Sequence, residues 1–357
     1  RSWRVRLDRF GDSTDLCSLV NAKSGGCAED CGFCAQSRFA EADTPMHAMM
    51  TADQILEHAR AAEAAGAHRF CMVTQGQGLS KRDFERVLDG ARLVAEHTNL
   101  KRCASVGHLS EARAKALREA GIQRVHHNVE TAESYYDEVS TTVRYAARLR
   151  TIDAVREAGL ETCVGGILNL GESREQRVEM AFELAKIDPT SVPINLLNPR
   201  PGTKFGDRDY MDPWEAVKWI AIFRLILPGA LFRLCGGRVE NLGALQPLAV
   251  KAGLNGVMMG NFLTTLGSTP DEDQAMFTEL TALLRHVIWS RDGVPKPCRW
   301  CGHEAFIYVR HPSDADDTSS GAPLRLVKID GDWHGELEAL VCKACGYVDW
   351  FVRDPQR

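Results

Sequence analysis

Nowhere does this sequence hold an uncharged apolar run of about eighteen residues, the length a membrane-spanning helix needs. The longest candidate, residues 220–227, is interrupted by Arg224. The opening Arg1-Ser2-Trp3-Arg4-Val5-Arg6 has neither the apolar core nor the small-residue cleavage site of a secretory signal. Excess charge is also missing. The 43 Lys and Arg against 48 Asp and Glu leave a formal −5, so no global field attracts polyphosphate and nucleic acid is not an expected partner. Together these absences predict a cytoplasmic protein with no membrane partner, in a compartment that keeps thiols reduced. The chain begins at Arg1 rather than methionine, which leads to the expectation that a preceding segment was cut away or left out.

What is abundant is cysteine. Twelve among 357 residues are too many for an ordinary cytosolic enzyme and too few for a disulfide mini-scaffold. With 44% hydrophobic and 25% charged residues the chain can bury a large core, and its length admits one big barrel or two domains.

Short apolar runs at 16–22, 69–74, 102–106, 124–129, 162–168, 192–197, 231–235 and 256–259 read as strands. Alanine-rich, charged stretches of helical spacing occupy 51–65, 81–97, 110–120, 144–158, 173–186, 212–227, 242–252 and 271–285. Ser110 and Ser173 stand as N-caps, and Gly66, Gly121, Gly159 and Gly253 stand where helices should stop. Eight strand–helix units predict an α/β fold, a (β/α)8 TIM-type barrel over residues 1–287. A doubly wound open sheet competes, but would show fewer units and a glycine-rich first turn. Residues 288–297, containing Val294-Pro295-Lys296-Pro297, predict a linker, and 298–357 a small separate module.

The cysteines sort by spacing. Cys27, Cys31 and Cys34 lie within eight residues on a loop after the first strand and can wrap one metal centre. An iron–sulfur cubane on three thiolates leaves one iron open to a ligand. A structural zinc would need a fourth donor, such as a distant histidine. Cys71, Cys103 and Cys163 fall in the second, third and fifth predicted strands. Inward strand positions converge in a barrel lumen, so these three can meet there; the plainer alternative is that each packs as a small hydrophobe. Cys298/Cys301 and Cys342/Cys345 form two C-x2-C knuckles, each followed by glycine, and suit either a zinc ribbon or an iron–sulfur centre. Cys17 and Cys235 read as packing residues.

The pattern C-x3-C-x2-C after the first strand of an α/β barrel resembles the signature of radical S-adenosylmethionine enzymes. The wording of residues 21–37 resembles the biotin synthase family in particular. So do Arg69-Phe70-Cys71-Met72, His127-Asn128-Val129-Glu130-Thr131, Cys163-Val164-Gly165-Gly166-Ile167, Val192-Pro193-Ile194-Asn195 and Pro201-Gly202-Thr203. The resemblance implies an enzyme of sulfur insertion that converts dethiobiotin to biotin, fed by an electron donor such as flavodoxin or ferredoxin. It leaves room for a homodimer. It places a [4Fe-4S] cluster with S-adenosylmethionine on Cys27, Cys31 and Cys34. It places a [2Fe-2S] cluster, the sulfur source, on Cys71, Cys103, Cys163 and Arg233. The arginine is assigned by resemblance only, since a guanidinium stays protonated in ordinary settings.

Toward S-adenosylmethionine the resemblance implies Arg148 for the carboxylate, Phe33 for adenine and Glu130 for the ribose. Gly166 and Glu172 belong to the glycine-rich stretch that approaches the adenosine. Toward substrate it implies Asn128 and Asn195, whose amides match the donor and acceptor edges of a ureido ring. Thr264 and Thr265 match the carboxylate anchor, and Lys23 stands beside the cluster loop. His126, Val143 and the loop 74–78 depart from the family wording, which bears on pocket shape more than on chemistry. The 298–357 segment faintly resembles a small auxiliary protein that accompanies some actinobacterial biotin synthases, with an expected role in cluster maintenance or electron delivery. Two other readings stand beside this one: another barrel-type radical enzyme (a maturase or mutase), and a non-catalytic zinc or iron–sulfur protein.

Overall fold

The computed structural model describes residues 2–11, 14–260, 263, 269, 271–273 and 275, and three strands beyond them by backbone alone. The chain divides into two compact units, Arg1–Ala275 and Met276–Arg357. The expected domain boundary at 287, the linker 288–297, Thr264, Thr265, Cys298, Cys301 and Cys345 lie outside the described residues.

In the first unit, α1 (Ser2–Phe10) precedes β1 (Asp15–Lys23), α2 (Ala52–Ala64), β2 (Arg69–Thr74), α3 (Lys81–His97) and β3 (Lys101–Ser105). Next come α4 (Glu111–Glu119), β4 (Arg124–His126), α5 (Tyr136–Val139), α6 (Tyr145–Glu157), β5 (Glu161–Cys163) and β6 (Gly166–Leu168). The unit continues through α7 (Arg174–Ile187), β7 (Ser191–Leu196), α8 (Pro213–Ile226) and β8 (Leu231–Leu234). It ends with α9 (Arg238–Leu242), α10 (Gln246–Ala252) and β9 (Gly256–Met258). Local chemistry sets the helix starts. Thr51 with Gln54, and Ser173 with Gln176, form reciprocal capping boxes, while Ser80 and Ser110 accept the N–H groups of Asp83 and Arg113.

The strands run in the order β5-β4-β3-β2-β1-β9-β8-β7-β6, every neighbouring pair parallel. A further pairing of β5 with β7, through Cys163 and Ser191, closes the ring. The expected fifth strand, 162–168, is two pieces, β5 and β6, so the barrel has eight staves. Gly165 sits at the break because the chain there presses against β7: a Cβ would lie 2.0 Å from the Pro193 carbonyl oxygen. The fourth strand stops at His126 rather than 129, although the N–H groups of His127 and Val129 still reach the carbonyls of Cys163 and Gly165, each at 3.0 Å. The expected helix 242–252 divides into α9, a short 3-10 turn and α10, with a proline at the restart in α10's first turn.

β2 is buried at every residue, as a parallel strand covered on both faces must be. Ile55, Val87 and Leu117 from α2, α3 and α4 pack with Phe70 and Met72 beneath them. Full burial of one such side chain contributes about 1.5–3 kcal/mol. Alternate strand residues point into the lumen, and its N-terminal end carries charge. Arg124 meets Glu161 at 2.7 Å, Arg69 meets the same carboxylate at 3.7 Å, and Arg233 pairs with Asp15. These ion pairs plug the base. No described helix is long and apolar enough to cross a membrane.

In the second unit β10 (Phe306–Val309), β11 (Glu336–Cys342) and β12 (Val348–Arg353) form an antiparallel sheet in that order. Backbone register pairs Cys342 with Phe306.

Candidate active site

The C-terminal end of the barrel, where the sites of this fold are built, opens into a cavity of ≈ 380 Å³. Cys27, Cys31, Cys34, Phe33, Glu130 and Arg148 line it at the mouth, and Cys71, Cys103, Cys163 and Arg233 line it deeper in the lumen. Among the described residues no three His, Cys, Asp or Glu side chains gather closely enough to hold a single metal ion. The thiols are instead spread over the wall of this larger space.

The mouth loop is clamped from several directions. The Cys27 N–H donates to the Gln36 carbonyl at 2.8 Å, and the Arg38 N–H returns to the Cys27 carbonyl at 2.9 Å. Gln36 Oε1 accepts from the Gly25 N–H at 3.2 Å and from Ser24 Oγ at 3.1 Å. Asp30 fastens the opposite side, accepting from Ser140 Oγ at 2.8 Å, the Thr141 N–H at 2.9 Å and Thr142 Oγ1 at 2.8 Å. Partial burial opposes its ionisation, but these donors hold the Asp30 carboxyl well below the usual carboxylate range. Burial pushes the thiols of Cys27, Cys31 and Cys34 up, that of Cys34 to about 11. Free thiols here are therefore neutral, and loading a metal must release their protons.

Arg148, only 5% exposed, organises the mouth. Its guanidinium donates to Tyr136 Oη at 2.6 Å and to the Asn128 carbonyl at 3.3 Å, pairs with Glu130 at 3.4 Å, and reaches Cys31 Sγ at 3.7 Å. Burial disfavours its charge, but Glu130, Tyr136 and Cys31 keep it firmly protonated. Glu130 itself adopts φ 71 and takes a bond from Asn128 Nδ2 at 3.3 Å. Phe33 packs beside Val139, Ile167, Leu170, Leu197 and Phe205.

Deeper in, Cys71 and Cys103 are register partners across β2 and β3 and hydrogen-bond to each other. The thiol that accepts, Cys103, is pushed down while Cys71 is pushed up. His126 and Cys163 are likewise register partners. Burial raises the Cys163 thiol, but the His126 hydrogen bond and nearby positive charge bring it below its ordinary value. Arg233 is 3% exposed, and its Nε has no partner among the described residues.

Other expected residues are placed differently. Asn128 and Asn195 line the cavity, yet both amides brace backbone: Asn128 Oδ1 accepts from Gly165 N–H at 3.1 Å, and Asn195 bonds the Gly166 carbonyl at 3.2 Å and the Gly236 N–H at 3.0 Å. Gly166 serves close approach, since a Cβ would lie 2.6 Å from the Glu130 carbonyl oxygen. Glu172 turns away from the cavity lining to hold its own turn. It accepts from the N–H groups of Asn169 and Gly171 at 2.8 and 3.0 Å and pairs with Arg177 at 2.6 Å. Lys23 pairs with Asp83 at 2.9 Å outside the cavity lining.

Sequence reasoning missed Glu29 and Gln36, which line the cavity, and Tyr136, which orients Arg148. Glu29 lies inside the cysteine motif, so position alone was a usable signal; nothing in the sequence marks Tyr136. Cys17 and Cys235, read as packing residues, also line the cavity.

Residues 22–184 match the Radical SAM superfamily and residues 193–282 match the Biotin and Thiamin Synthesis associated domain. The closed parallel barrel with a three-cysteine loop at its mouth is thus that of a radical S-adenosylmethionine protein. Two solved structures share the fold. The chain superposes on methylornithine synthase with a TM-score of 0.63 at 19% identity, covering 72% of this chain and 75% of that one. On the FeFe-hydrogenase maturase of Carboxydothermus hydrogenoformans the TM-score is 0.67 at 15% identity, covering 78% and 69%. Sequence likeness to other relatives is stronger over the same share of the chain. The chain is 48% identical over 277 residues to biotin synthase of Pelotomaculum thermopropionicum, covering 78% of this chain and 86% of that relative. To biotin synthase of Cyanothece sp. it is 46% identical over 283 residues, covering 78% and 76%. The chain belongs to the biotin synthase family.

Proposed function

We propose that this chain catalyses radical sulfur insertion, converting dethiobiotin to biotin. The observation that carries the reading is a single cavity lined by the three mouth thiols, by Phe33, Glu130 and Arg148, and by three lumen thiols with Arg233. The donor sets fit the groups they would hold. Cys27, Cys31 and Cys34 suit a [4Fe-4S] cluster with one open iron, and Cys71, Cys103, Cys163 and Arg233 suit a [2Fe-2S] cluster. The buried Arg233 keeps its Nε–H unpartnered, a donor free for an acceptor in the lumen. When bound, these clusters and S-adenosylmethionine supply the electron, the radical and the sulfur atom.

The chain's own residues position and shield. Arg148 supplies fixed positive charge for a carboxylate, Glu130 accepts from hydroxyl groups, and Phe33 offers an aromatic face. Asn128 and Asn195 each keep a second N–H and a second lone pair free of the bonds described, enough to meet a ureido group. The ion pairs at the base close that end of the lumen.

The enzyme works in the cytoplasm, drawing electrons from a flavodoxin or ferredoxin, as a monomer or homodimer. Residues 298–357 form an appended module whose Cys298, Cys301, Cys342 and Cys345 hold zinc or iron and maintain or feed the clusters. The test is anaerobic reconstitution followed by reductant, S-adenosylmethionine and dethiobiotin. Biotin with 5′-deoxyadenosine is the expected outcome. Deoxyadenosine without biotin points to a different radical enzyme, and neither product points to a binding protein.

A further inference from the structure

Arg148, Arg200 and Arg233 all line the cavity, and two of them are matched by carboxylates. Arg148 faces both acidic side chains of the lining, Glu130 at 3.4 Å and Glu29 at 3.6 Å. Arg233 pairs with Asp15. Arg200 differs. Its half-buried guanidinium meets no carboxylate and no hydrogen-bond acceptor among the described residues. The cavity therefore holds one positive charge that the protein itself leaves uncompensated, on the loop that follows β7.

The backbone beneath that charge is held in place. Arg200 stands between Pro199 and Pro201, and a residue that precedes proline is confined to extended backbone. Its carbonyl accepts from the Thr203 N–H at 3.1 Å and from Thr203 Oγ1 at 2.7 Å. The loop is then fastened to the mouth. The Phe205 N–H donates to the Gly32 carbonyl at 3.1 Å, and the Glu41 N–H to the Gly202 carbonyl at 2.8 Å. Gly202, at φ 82, presses so close that a Cβ would lie 2.6 Å from the Ala42 nitrogen. Only the side chain of Arg200 is left to be ordered when an anion arrives, which lowers the entropic cost of binding.

We propose that Arg200 recognises the carboxylate of the substrate and sets the preference of the site for a free acid over a neutral ester. A guanidinium fork matches the two oxygens of a carboxylate. Dethiobiotin carries a ureido ring at one end and a carboxylate at the end of an alkyl tail. With the ring at Asn195 on β7, the tail leads outward along the same strand end to the loop that bears Arg200. The carboxylate of S-adenosylmethionine has its own cation in Arg148, 3.7 Å from Cys31 Sγ. Thr264 and Thr265, the expected anchor, offer hydroxyls without charge. The assignment rests on the dethiobiotin reading above, and the test separates the two.

Full-length chains are reconstituted anaerobically, and the affinities for dethiobiotin and for its methyl ester are measured by equilibrium dialysis with S-adenosylmethionine present. Arg200→Met is expected to weaken dethiobiotin binding roughly tenfold and to leave ester binding where it was. Arg200→Lys, which keeps the charge, is expected to retain most of the preference for acid over ester. Unchanged acid binding in Arg200→Met, equal weakening of acid and ester, or weakened S-adenosylmethionine binding in place of either, overturns the proposal. Should Arg200→Met fail to fold, Arg200→Gln, which keeps donors without the charge, is read in the same way. An unsubstituted chain that binds acid and ester equally refutes this inference and leaves the dethiobiotin reading standing. One that binds neither refutes that reading, and this inference with it.

Discussion

The mouth loop and the lumen present thiols in opposite ways. At the mouth, three cysteines share one short segment, and the fold's task is to fasten that segment: Gln36 grips it on one side and Asp30 on the other. In the lumen the cysteines come from separate staves, each already fixed by its own strand. Their electrostatics differ as well. Mouth thiols are raised by burial, whereas Cys103 and Cys163 are lowered by hydrogen bonds from Cys71 and His126. A loop site depends on clamps and can be lost locally; a lumen site depends on barrel closure and shares its fate.

The largest expected effect breaks the two apart. Cys31→Ala should abolish 5′-deoxyadenosine formation while the lumen iron stays. Cys163→Ala should abolish biotin while deoxyadenosine is still released. Product analysis by chromatography checks both, and loss of both products in both variants would mean the two sites are not separable.

Arg148→Met comes next, because it removes the cation paired with the largely buried Glu130 carboxylate and leaves it the Asn128 hydrogen bond. The barrel should lose about 3–5 kcal/mol in urea unfolding, and S-adenosylmethionine binding should weaken in equilibrium dialysis. Unchanged stability would place Arg148 outside any network that holds the mouth.

Gly165→Ala attacks closure, since the new methyl meets the Pro193 carbonyl at β7. Overpacking of this kind costs about 1–3 kcal/mol. The lumen iron should be released sooner on heating while the isolated loop chemistry persists at lower temperature. An unaltered melting curve would show that the β5–β7 seam has slack.

The smallest effect is in pH. Iron capture needs thiolates, and at the mouth the folded thiols ionise above their ordinary range, so capture there should rise as pH goes from about 7 to 9. In the lumen two of the three thiols, Cys103 and Cys163, ionise below that range and only Cys71 above it, so lumen capture should rise less over the same interval. Stopped-flow absorption of chains lacking one set or the other reads each slope; equal slopes would remove the electrostatic contrast.

Much of the architecture was legible from pattern. Strand 69–74 and the caps Ser110 and Ser173 fell where expected, and the strand expected over 231–235 ends one residue early, because alternation and capping are local properties. The break within 162–168 was not, because it arises from contact with Pro193 on another stave. Among site residues, Phe33 and Arg148 stand at the cavity, whereas Glu172 bonds its own turn and Lys23 is drawn to Asp83. A charged side chain chooses among partners that only the folded chain assembles.

By itself, the sequence determined the mouth loop and the eightfold rhythm. Three thiols within eight residues stay within about 25 Å of one another in any fold, and hydrophobic periodicity needs no distant partner. Only the tertiary structure decided what the lumen holds. Period-two alternation says which face of a strand a residue takes, but not which faces meet. Closure of the ring brought Arg233 to Asp15, 218 residues away, and set Cys17 and Cys235 beside them. The two cysteines that looked like filler were the ones local pattern had no means to place.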